Sequence, residues 1–268
     1  MTADELLESK VKKLLHSFAG KASAVVETKN SRIDFNGQEQ MKSASTIKLA
    51  VLLEAYRQVD RNLLDSYELV KLLPEDFTEG SGVLFHLDSI KELSINDLLA
   101  LMIIVSDNTA SNIAIRLVGI DKVNALLREL GCAETMLGRK FMDFGAAAKG
   151  LDNYTSAANL VTLLTAVDAE DLLSENSRSR VLHILRKQQL LANLHGRIDE
   201  DDEVTIASKS GSLPGVVNDA GIFEYRGNKV YAAVLLEESP DNHSGQELIA
   251  EIGSYINEGL KTTKSPAE

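Results

Sequence analysis

Three short motifs in this sequence bring together the hydroxyl, amine and amide side chains that nucleophilic acyl transfer uses. They are Ser45-Thr46-Ile47-Lys48, Ser106-Asp107-Asn108 and Lys209-Ser210-Gly211. A serine hydroxyl becomes an effective nucleophile when a neighbouring base removes its proton, and an uncharged lysine amine is such a base. The order and separation of the motifs are those of enzymes that form an acyl-enzyme through a Ser-x-x-Lys pair. We therefore predict a serine enzyme of this chemical kind.

The surroundings of Ser45 distinguish it from a second Ser-x-x-Lys sequence at Ser9 to Lys12. Ser45 precedes an apolar run at helical spacing, whereas Ser9 falls inside a charged segment typical of a solvated helix face. We expect Ser45 to open a helix, because unpaired N–H groups and the positive end of the helix dipole favour a developing alkoxide. Lys48 then projects from the same face, and burial is expected to lower the pKa of its amine. The alternative is that Ser45 is only a helix N-cap.

Ser106 and Asn108 supply groups for the later steps. Ser106 stands at the expected exit of the preceding helix, and its hydroxyl is suited to passing a proton between Lys48 and a leaving nitrogen. The Asn108 amide suits a substrate carbonyl or Lys48 itself. The alternative is a helix C-terminus that is merely rich in polar residues. The ordered set of motifs favours the catalytic interpretation.

The third motif is expected at the end of a strand. Gly211 has no side chain, so a substrate can approach the backbone there as an added edge partner. The backbone N–H groups of Ser45 and Ser212 are then candidates for an oxyanion hole. The alternative for Lys209 is a charge on the solvent face of the strand.

Composition limits the classes of partner. The chain has 268 residues and a formal charge of −12, from 28 basic and 40 acidic residues. The basic residues are scattered, which argues against nucleic acid and anionic membranes and favours a small-molecule substrate. Cys132 is the single cysteine, and without a Cys/His cluster we expect no metal and no cofactor. We also expect a monomer.

The sequence also predicts where the protein is found. No stretch approaches the ~18 apolar residues of a membrane span. The segment Met1 to Lys13 alternates charges with leucines and lacks the apolar stretch of a secretory signal. We expect a cytoplasmic protein, or a secreted one if a leader was removed.

Hydrophobic periodicity predicts the elements that must position the motifs. We expect helices over Glu5 to Phe18, Ser94 to near Ser106 and Ser244 to Leu260, and strands over Ala22 to Thr28, Ser31 to Phe35, Val204 to Lys209, Asp219 to Tyr225 and Lys229 to Leu236. This order predicts an α+β fold, with an antiparallel sheet flanked by N- and C-terminal helices and an inserted all-helical lobe. We expect residues 1–62 and 192–268 to form the sheet lobe, residues 63–191 the helical lobe, and Lys261 to Glu268 a disordered tail.

The chain resembles class A β-lactamases and their relatives among serine β-lactamases and penicillin-binding proteins over residues 20–260. The likeness is strongest in Gly80 to Leu84, in Leu98 to Leu117 and in Lys209 to Gly211. The resemblance implies the β-lactamase/transpeptidase-like fold, a β-lactam or peptide-like amide as substrate, and the motifs meeting in a cleft between the lobes.

The resemblance also implies a role for each motif. Ser45 is the acylated nucleophile and Lys48 its proton acceptor. Ser106 and Asn108 are their partners in the cleft. Lys209, together with Ser210, anchors a substrate carboxylate.

One departure concerns the loop that drives deacylation in class A enzymes. That loop begins with an arginine, carries two residues later a glutamate that activates the deacylating water, and closes with an aspartate that pairs with the arginine. Here Arg139 and Asp152 fit the closing pair, but Phe141 stands where the glutamate is expected. A phenyl ring cannot abstract a proton, so we expect impaired deacylation. Asp143 is a candidate base if the loop is re-registered, and otherwise a surface carboxylate.

A second departure lies between Gly215 and Asp219, where many relatives carry an arginine for the substrate carboxylate and this chain has none. Arg197, from a neighbouring loop, is a weak candidate to replace it.

Three hypotheses follow. The first is a serine hydrolase of β-lactam amides that acylates at Ser45 and deacylates through Asp143, through Lys48 or by unassisted water. The second is a covalent penicillin-binding sensor or transpeptidase-like protein with a long-lived acyl-enzyme. The third keeps the nucleophile but makes the chain an esterase or peptidase on another substrate. We favour the first.

Overall fold

The computed structural model describes residues 2–199 and 201–262. In chain order the α-helices are α1 (Ala3–Ser17), α2 (Lys48–Asp60), α3 (Ile95–Ile104), α4 (Asn108–Val118), α5 (Ile120–Glu129), α6 (Phe144–Ala147), α7 (Ala157–Asp168), α8 (Glu175–Leu185) and α9 (Asn242–Thr262). The strands are β1 (Lys21–Glu27), β2 (Arg32–Phe35), β3 (Met41–Lys42), β4 (Leu69–Lys71), β5 (Glu92–Ser94), β6 (Tyr154–Thr155), β7 (Thr205–Leu213), β8 (Val216–Tyr225) and β9 (Asn228–Glu237). Short 3-10 turns occur at Ala44–Ile47, Pro74–Asp76 and Leu84–His86.

The centre of the fold is an antiparallel sheet with strand order β2-β1-β9-β8-β7. Because side chains alternate across a strand, β9 contributes to two cores. Val234 and Leu236 pack with α1 and α9 on one face, whereas Ala233 and Leu235 belong to the larger core that includes the helices between β3 and β7. The α+β fold predicted from the order of elements is therefore confirmed.

Helix α2 is the central element of the larger core. It packs against α3, α4, α5, α7 and α8. Every residue from Lys48 to Gln58 is buried, including the polar ones, as expected of a helix surrounded by other helices. Its first residue is Lys48, so the second half of the Ser-x-x-Lys motif belongs to the most enclosed helix of the fold.

Several local expectations were wrong in detail. Strand β7 continues to Leu213, so the Lys209 motif lies within the strand and not at its end. The segment 63–191, expected to be all-helical, also contains the ribbon β4–β5 and the strand β6, which pairs with β3. The division into lobes at residues 62/63 and 191/192 stays a prediction. Lys261 and Thr262 belong to α9, and the rest of the tail expected to be disordered lies outside the described residues.

Across residues 2–199 and 201–262, no helix has both the length and the apolar character that crossing a bilayer requires.

Truncation of Leu52, which is fully buried in α2, is expected to destabilise the protein by about 2–5 kcal/mol, because it leaves a cavity in the core. The matched control is Leu63→Ala, since Leu63 is 68% exposed just after the same helix. Urea unfolding of both variants measures the difference. A Leu52→Ala variant as stable as Leu63→Ala would contradict the central position of α2.

Candidate active site

Ser45 lies in the 3-10 turn Ala44–Ile47, and α2 begins only at Lys48. The helical run expected from Ser45 is therefore present, but its first turn is a 3-10 turn and not α-helix. The turn starts from a strained backbone, because Ala44 has φ +46°, a region that non-glycine residues rarely adopt. Ser45 itself is half-buried. The strained residue Ala44 precedes it, and the two residues that follow it, Thr46 and Ile47, are fully buried.

The turn is attached to two other parts of the fold. The Asn218 side chain on β8 donates to the carbonyls of Lys42 and Ser43, at 2.8 and 3.2 Å. The backbone N–H of Ser43 donates to the carbonyl of Asn153 at 3.0 Å. The position of Ser45 is thus determined jointly by the sheet and by the loop that ends at Asn153.

The Lys48 amine is fully buried and has three oxygen acceptors. Its Nζ lies 2.8 Å from the carbonyl of Ser106, 3.0 Å from the Ser106 hydroxyl and 3.2 Å from Oδ1 of Asn108. Burial, with a further contribution from the charge of Lys209, holds the pKa of Lys48 well below its usual range, against the opposing effect of Asp107. None of the hydrogen bonds among the described residues joins this amine to the Ser45 hydroxyl.

The segment 106–108 is held by a glycine loop and by the start of α4. Ser106 has φ +56°, and Asp107 caps α4 by accepting from the N–H of Ala110 at 2.9 Å. The second oxygen of Asp107 accepts from the N–H groups of Val83 and Leu84, at 2.7 and 2.8 Å. The Asp107 carboxylate therefore fixes both the first turn of α4 and the neighbouring backbone at Val83 and Leu84.

Glycines allow this close approach. A Cβ at Gly80 would lie 2.6 Å from Nδ2 of Asn108, and one at Gly82 would lie 2.3 Å from the Asp107 carboxylate. Both glycines also have positive φ, at +102° and +107°. The segment Gly80 to Leu84, in which the resemblance to class A β-lactamases is strong, is thus the loop that packs against the second motif.

The third motif lies on the edge strand β7, directly against the Ser45 turn. A Cβ at Gly211 would lie 2.8 Å from the backbone nitrogen of Ser45, so only glycine fits there. Lys209 is fully buried, and its Nζ donates to the carbonyl of Ser210 at 2.7 Å. This excludes the alternative of a solvent-facing strand charge.

Lys209 has a buried acidic neighbour, Asp219, which pairs in register with Ser210 across β7 and β8. Burial lowers the pKa of Lys209 and raises the pKa of Asp219, while the charge of each opposes the shift of the other. The Asp219 carboxylate accepts from the backbone N–H groups of Leu194 and Ala220, at 3.1 and 2.9 Å. The second buried lysine of the site therefore has an acidic neighbour inside the sheet whose charge opposes the lowering of its pKa.

Two cavities meet at Ser45 and share Ser81 and Ser212. The first cavity has a volume of about 170 Å³. Its other lining residues are Ala44, Gly80, Asn108, Arg139, Phe141, Met142, Phe144, Asp152, Asn153 and Leu213. The second cavity has a volume of about 270 Å³. Its other lining residues are Ser106, Leu190, Leu191, Ala192, Asn193, Ser210, Gly211 and Gln246. The three motifs are thus brought together around Ser45, with one cavity on each side.

The loop from Arg139 to Asn153 closes the first cavity. Arg139 pairs with Asp152 through two nitrogens, at 2.8 and 3.0 Å, so the expected closing ion pair is present. Oδ1 of Asn153 accepts from the N–H groups of Gly138 and Arg139, at 2.8 and 3.0 Å. The neck of the loop is therefore fixed by an ion pair and by backbone hydrogen bonds.

Phe141 points toward the buried amine. The Nζ atom of Lys48 lies 4.2 Å from the centroid of the Phe141 ring. The side chain of Asn112 fixes the loop at this residue, accepting from the N–H of Phe141 at 2.8 Å and donating to its carbonyl at 3.0 Å. The ring thus occupies a defined position beside the first two motifs.

Two residues considered in the sequence do not reach the cavities. Asp143 is exposed, and its carboxylate caps the one-turn helix α6 by accepting from the N–H of Ala146 at 2.9 Å. Arg197 is exposed and pairs with Glu247 and Glu251 on α9, at 2.9 and 3.4 Å. Neither position supports the role considered for it, as deacylation base or as carboxylate anchor.

Asn112 and Asn218 were missed in the sequence. Asn112 is four residues after Asn108 on the same helix face, and this spacing was available as a signal. Asn218 is a buried polar residue in a strand, and only the long-range pairing of β8 with the Ser45 turn gives it a role. Within the described chain, no group of three or more His, Cys, Asp or Glu side chains is arranged to hold a metal ion.

Comparisons with known proteins agree with this geometry. Residues 6–260 match the sequence model of the β-lactamase enzyme family. The chain is 26% identical to the β-lactamase BRO-1 of Moraxella catarrhalis, over 94% of this chain and 84% of that protein. It is similar in structure to a β-lactamase from Sphaerobacter thermophilus, with a TM-score of 0.87, 29% identity and coverage of 96% of this chain and 98% of that one. A mutant of PBP-A solved as an acyl-enzyme complex with penicillin G has a TM-score of 0.86, 25% identity and 97% coverage of both chains.

The chain is a hydrolase with the fold of the serine β-lactamases and penicillin-binding proteins. It belongs to the β-lactamase enzyme family. The resemblance to class A enzymes stated from the motifs is therefore confirmed.

Replacement of Asn112 by alanine is expected to speed hydrogen exchange at the Phe141 amide by about tenfold or more, because the N–H and carbonyl of Phe141 lose their partner. Asn124→Ala is the matched control, since Asn124 makes the same pair of bonds to the backbone of Leu137, both at 2.9 Å. Exchange measured by mass spectrometry on loop peptides separates the two. Equal exchange at Phe141 in both variants would contradict the positioning role of Asn112.

Proposed function

We propose that this protein is a β-lactamase-type serine hydrolase that opens β-lactam or similar amides through an acyl-enzyme on Ser45, with slow deacylation. The single observation that carries the proposal is the buried Lys48 amine. It lies one turn from Ser45, its pKa is held well below the usual range, and it contacts the hydroxyl of Ser106. A neutral amine in this position accepts a proton from one hydroxyl, and the ammonium so formed can return a proton to another.

The proposed acylation step uses Ser45, Lys48 and Ser106. The Lys48 amine takes the Ser45 proton as Oγ bonds to the substrate carbonyl carbon. The amide C–N bond then breaks, the leaving nitrogen takes the Ser106 proton, and the Lys48 ammonium returns one proton to Ser106. The 3.0 Å contact between Nζ and the Ser106 hydroxyl supports this relay. The Ser45 hydroxyl must approach the amine when substrate binds, as catalytic hydrogen bonds often tighten only in the complex.

The backbone N–H groups of Ser45 and Ser212 are the proposed oxyanion hole. Support comes from the close approach at Gly211, which brings β7 within contact of the Ser45 backbone nitrogen. Ser212 follows Gly211 and lines both cavities. Two preorganised N–H donors aimed at the developing oxyanion commonly contribute several kcal/mol to catalysis, about 3–4 kcal/mol for one donor.

Lys209 and Ser210 are the proposed anchors for a substrate carboxylate. The positive charge of Lys209 lowers the pKa of Lys48, so the two amines interact electrostatically. An anionic group near Ser210 would be attracted by the charged form of Lys209, whereas Lys48 acts as an uncharged base. We propose that the enzyme acts as a monomer on such a small-molecule substrate.

Slow deacylation follows from the side chains around Phe141. The carboxylate of Asp152 lines the first cavity, but it is ion-paired with Arg139 and accepts from the N–H of Asn153. Asp143 is turned to the solvent side of the loop. The groups left for deacylation are Lys48 and unassisted water, and the loss of a general base commonly costs about 10²–10⁴ in rate.

A second candidate function is supported by the same ring. Phe141 lies against Lys48 and takes the space beside the amine, which favours a covalent penicillin-binding protein with a long-lived adduct. The structural similarity to PBP-A, whose mutant was solved as an acyl-enzyme with penicillin G, points in the same direction. The lifetime of the adduct separates this candidate from a turning-over hydrolase.

Intact mass spectrometry after exposure to benzylpenicillin is expected to show one adduct on the wild-type chain and none on Ser45→Ala. The Phe141→Glu variant is expected to lose its adduct about 10²–10⁴ times faster than wild type, because a carboxylate can activate water. Phe141→Gln is the matched control, similar in size to glutamate but unable to accept a proton from water. Equal adduct lifetimes for the Glu and Gln variants would contradict the role given to position 141, and an adduct on Ser45→Ala would contradict the nucleophile.

The rate of adduct formation is expected to rise with pH and to level off above the pKa of Lys48, because only the uncharged amine accepts the Ser45 proton. Burial and Lys209 lower this pKa, so the plateau is expected well below pH 10.5, the ordinary lysine value. Phe141→Glu adds a negative charge near Nζ and is expected to move the profile to higher pH, whereas Phe141→Gln leaves it in place. A profile without pH dependence would contradict Lys48 as the base.

A further inference from the structure

We propose that a cavity enclosed by α1, α9, the β1–β2 turn and the β8–β9 turn binds an uncharged, largely apolar small molecule. This distal cavity has a volume of about 630 Å³, within the range of about 300–1,000 Å³ that is usual for sites of drug-sized ligands. Among the described residues, its lining has no member in common with either cavity at Ser45. The inference goes beyond the proposed function and is independent of acylation at Ser45.

The distal cavity lies at the opposite end of the central sheet from Ser45. Strand β9 begins at the wall of this cavity, which Asn228 to Tyr231 line. The strand ends at Glu237, whose carboxylate accepts from the backbone N–H of Lys42, three residues before Ser45. A strand of this length spans about 30 Å at ~3.3 Å per residue. A molecule in the distal cavity is therefore too far from Ser45 to contact its substrate.

The floor of the distal cavity is apolar. It is formed by Leu7 of α1, Val230 of β9, and Ile256 and Leu260 of α9. These four side chains are buried and belong to the core between the sheet and the two terminal helices. An apolar ligand on this floor would extend that core, so the hydrophobic effect favours its binding.

The charged side chains of the lining balance each other. Asp4 and Glu27 are acidic, and Lys29 and Lys229 are basic. Glu27 and Lys229 already form ion pairs with residues outside the lining. One acidic and one basic side chain then remain, so the lining offers no excess charge to an anion or to a cation. A charged ligand would lose hydration without compensation, whereas an uncharged one would not.

The test uses two fluorescent dyes with the same aromatic body. N-phenyl-1-naphthylamine is uncharged, and 8-anilino-1-naphthalenesulfonate carries one sulfonate in addition. Both dyes brighten when they leave water. Fluorescence titration of wild type is expected to give a Kd at least about tenfold lower for the uncharged dye. Absence of saturable binding of the uncharged dye, or equal or tighter binding of the sulfonate, overturns the inference.

Tryptophan reporters locate the bound uncharged dye, because the chain contains no tryptophan and the dye absorbs the light that tryptophan emits. Leu6→Trp places a reporter next to Leu7 at the distal cavity, and Phe144→Trp places one in the wall of the first cavity at Ser45. Both native side chains are exposed, and neither lines the distal cavity. We expect the dye to quench Leu6→Trp several-fold more than Phe144→Trp, because energy transfer falls steeply with distance. Stronger quenching of Phe144→Trp would place the dye at Ser45 and overturn the inference, while leaving the proposed function unaffected.

Filling the cavity is the remaining measurement. Val230→Phe adds a ring over the apolar floor and is expected to weaken binding of the uncharged dye about tenfold, with a Tm near that of wild type. Val234→Phe is the matched control, because Val234 is fully buried on the same face of β9. Overpacking at Val234 is expected to lower the Tm by about 5 °C or more. Unchanged dye affinity in Val230→Phe, or an equal loss of Tm in both variants, overturns the inference.

Discussion

The site depends on keeping an amine inside a protein core without a carboxylate in contact with it. Lys48 is held by a carbonyl, a hydroxyl and an amide oxygen, which accept hydrogen bonds but carry no full charge. A contacting carboxylate would stabilise the ammonium and cancel the effect of burial on its pKa. The charge of the second buried lysine, Lys209, lowers the pKa of Lys48 further, and the charge of Asp219 opposes the lowering of the pKa of Lys209.

Phe141 acts against this arrangement to a small extent. An aromatic face near an ammonium stabilises the charged form by about 0.5–2 kcal/mol, depending on desolvation. Burial is the largest cause of the lowered pKa of Lys48. In the proposed function, the ring leaves Lys48 in place as the base for acylation, while position 141 supplies no carboxylate for deacylation.

The sequence predicted those parts of the fold and site that are local. The proximity of Ser45, Lys48, Ser106 and Asn108 could be predicted because each motif is compact and the order of the motifs is informative, while their catalytic roles stay predictions. The 3-10 turn at Ser45 could not be foreseen, because the close contact with Gly211 and the anchor on Asn218 come from distant strands.

Of the two interpretations left open for Asp143, the exposed position agrees with the surface carboxylate, and the reason is again one of long-range structure. In sequence it is adjacent to the position of the missing glutamate, and proximity along the chain made it a candidate. In the fold, its carboxylate begins α6, a helix of one turn, and this turn directs it away from the cavity. The apolar alternation that predicted the strands carried no information about the direction of a side chain inside a loop.

The carboxylate of Asp107 has a consequence for how the cleft can move. One of its oxygens caps α4, and the other accepts from the N–H groups of Val83 and Leu84. Displacing residues 80–84 would break these hydrogen bonds and uncap that helix, so this wall of the cleft is attached to the start of α4. Opening this wall to admit a ligand would therefore cost the N-cap of α4, which contributes about 0.5–2 kcal/mol.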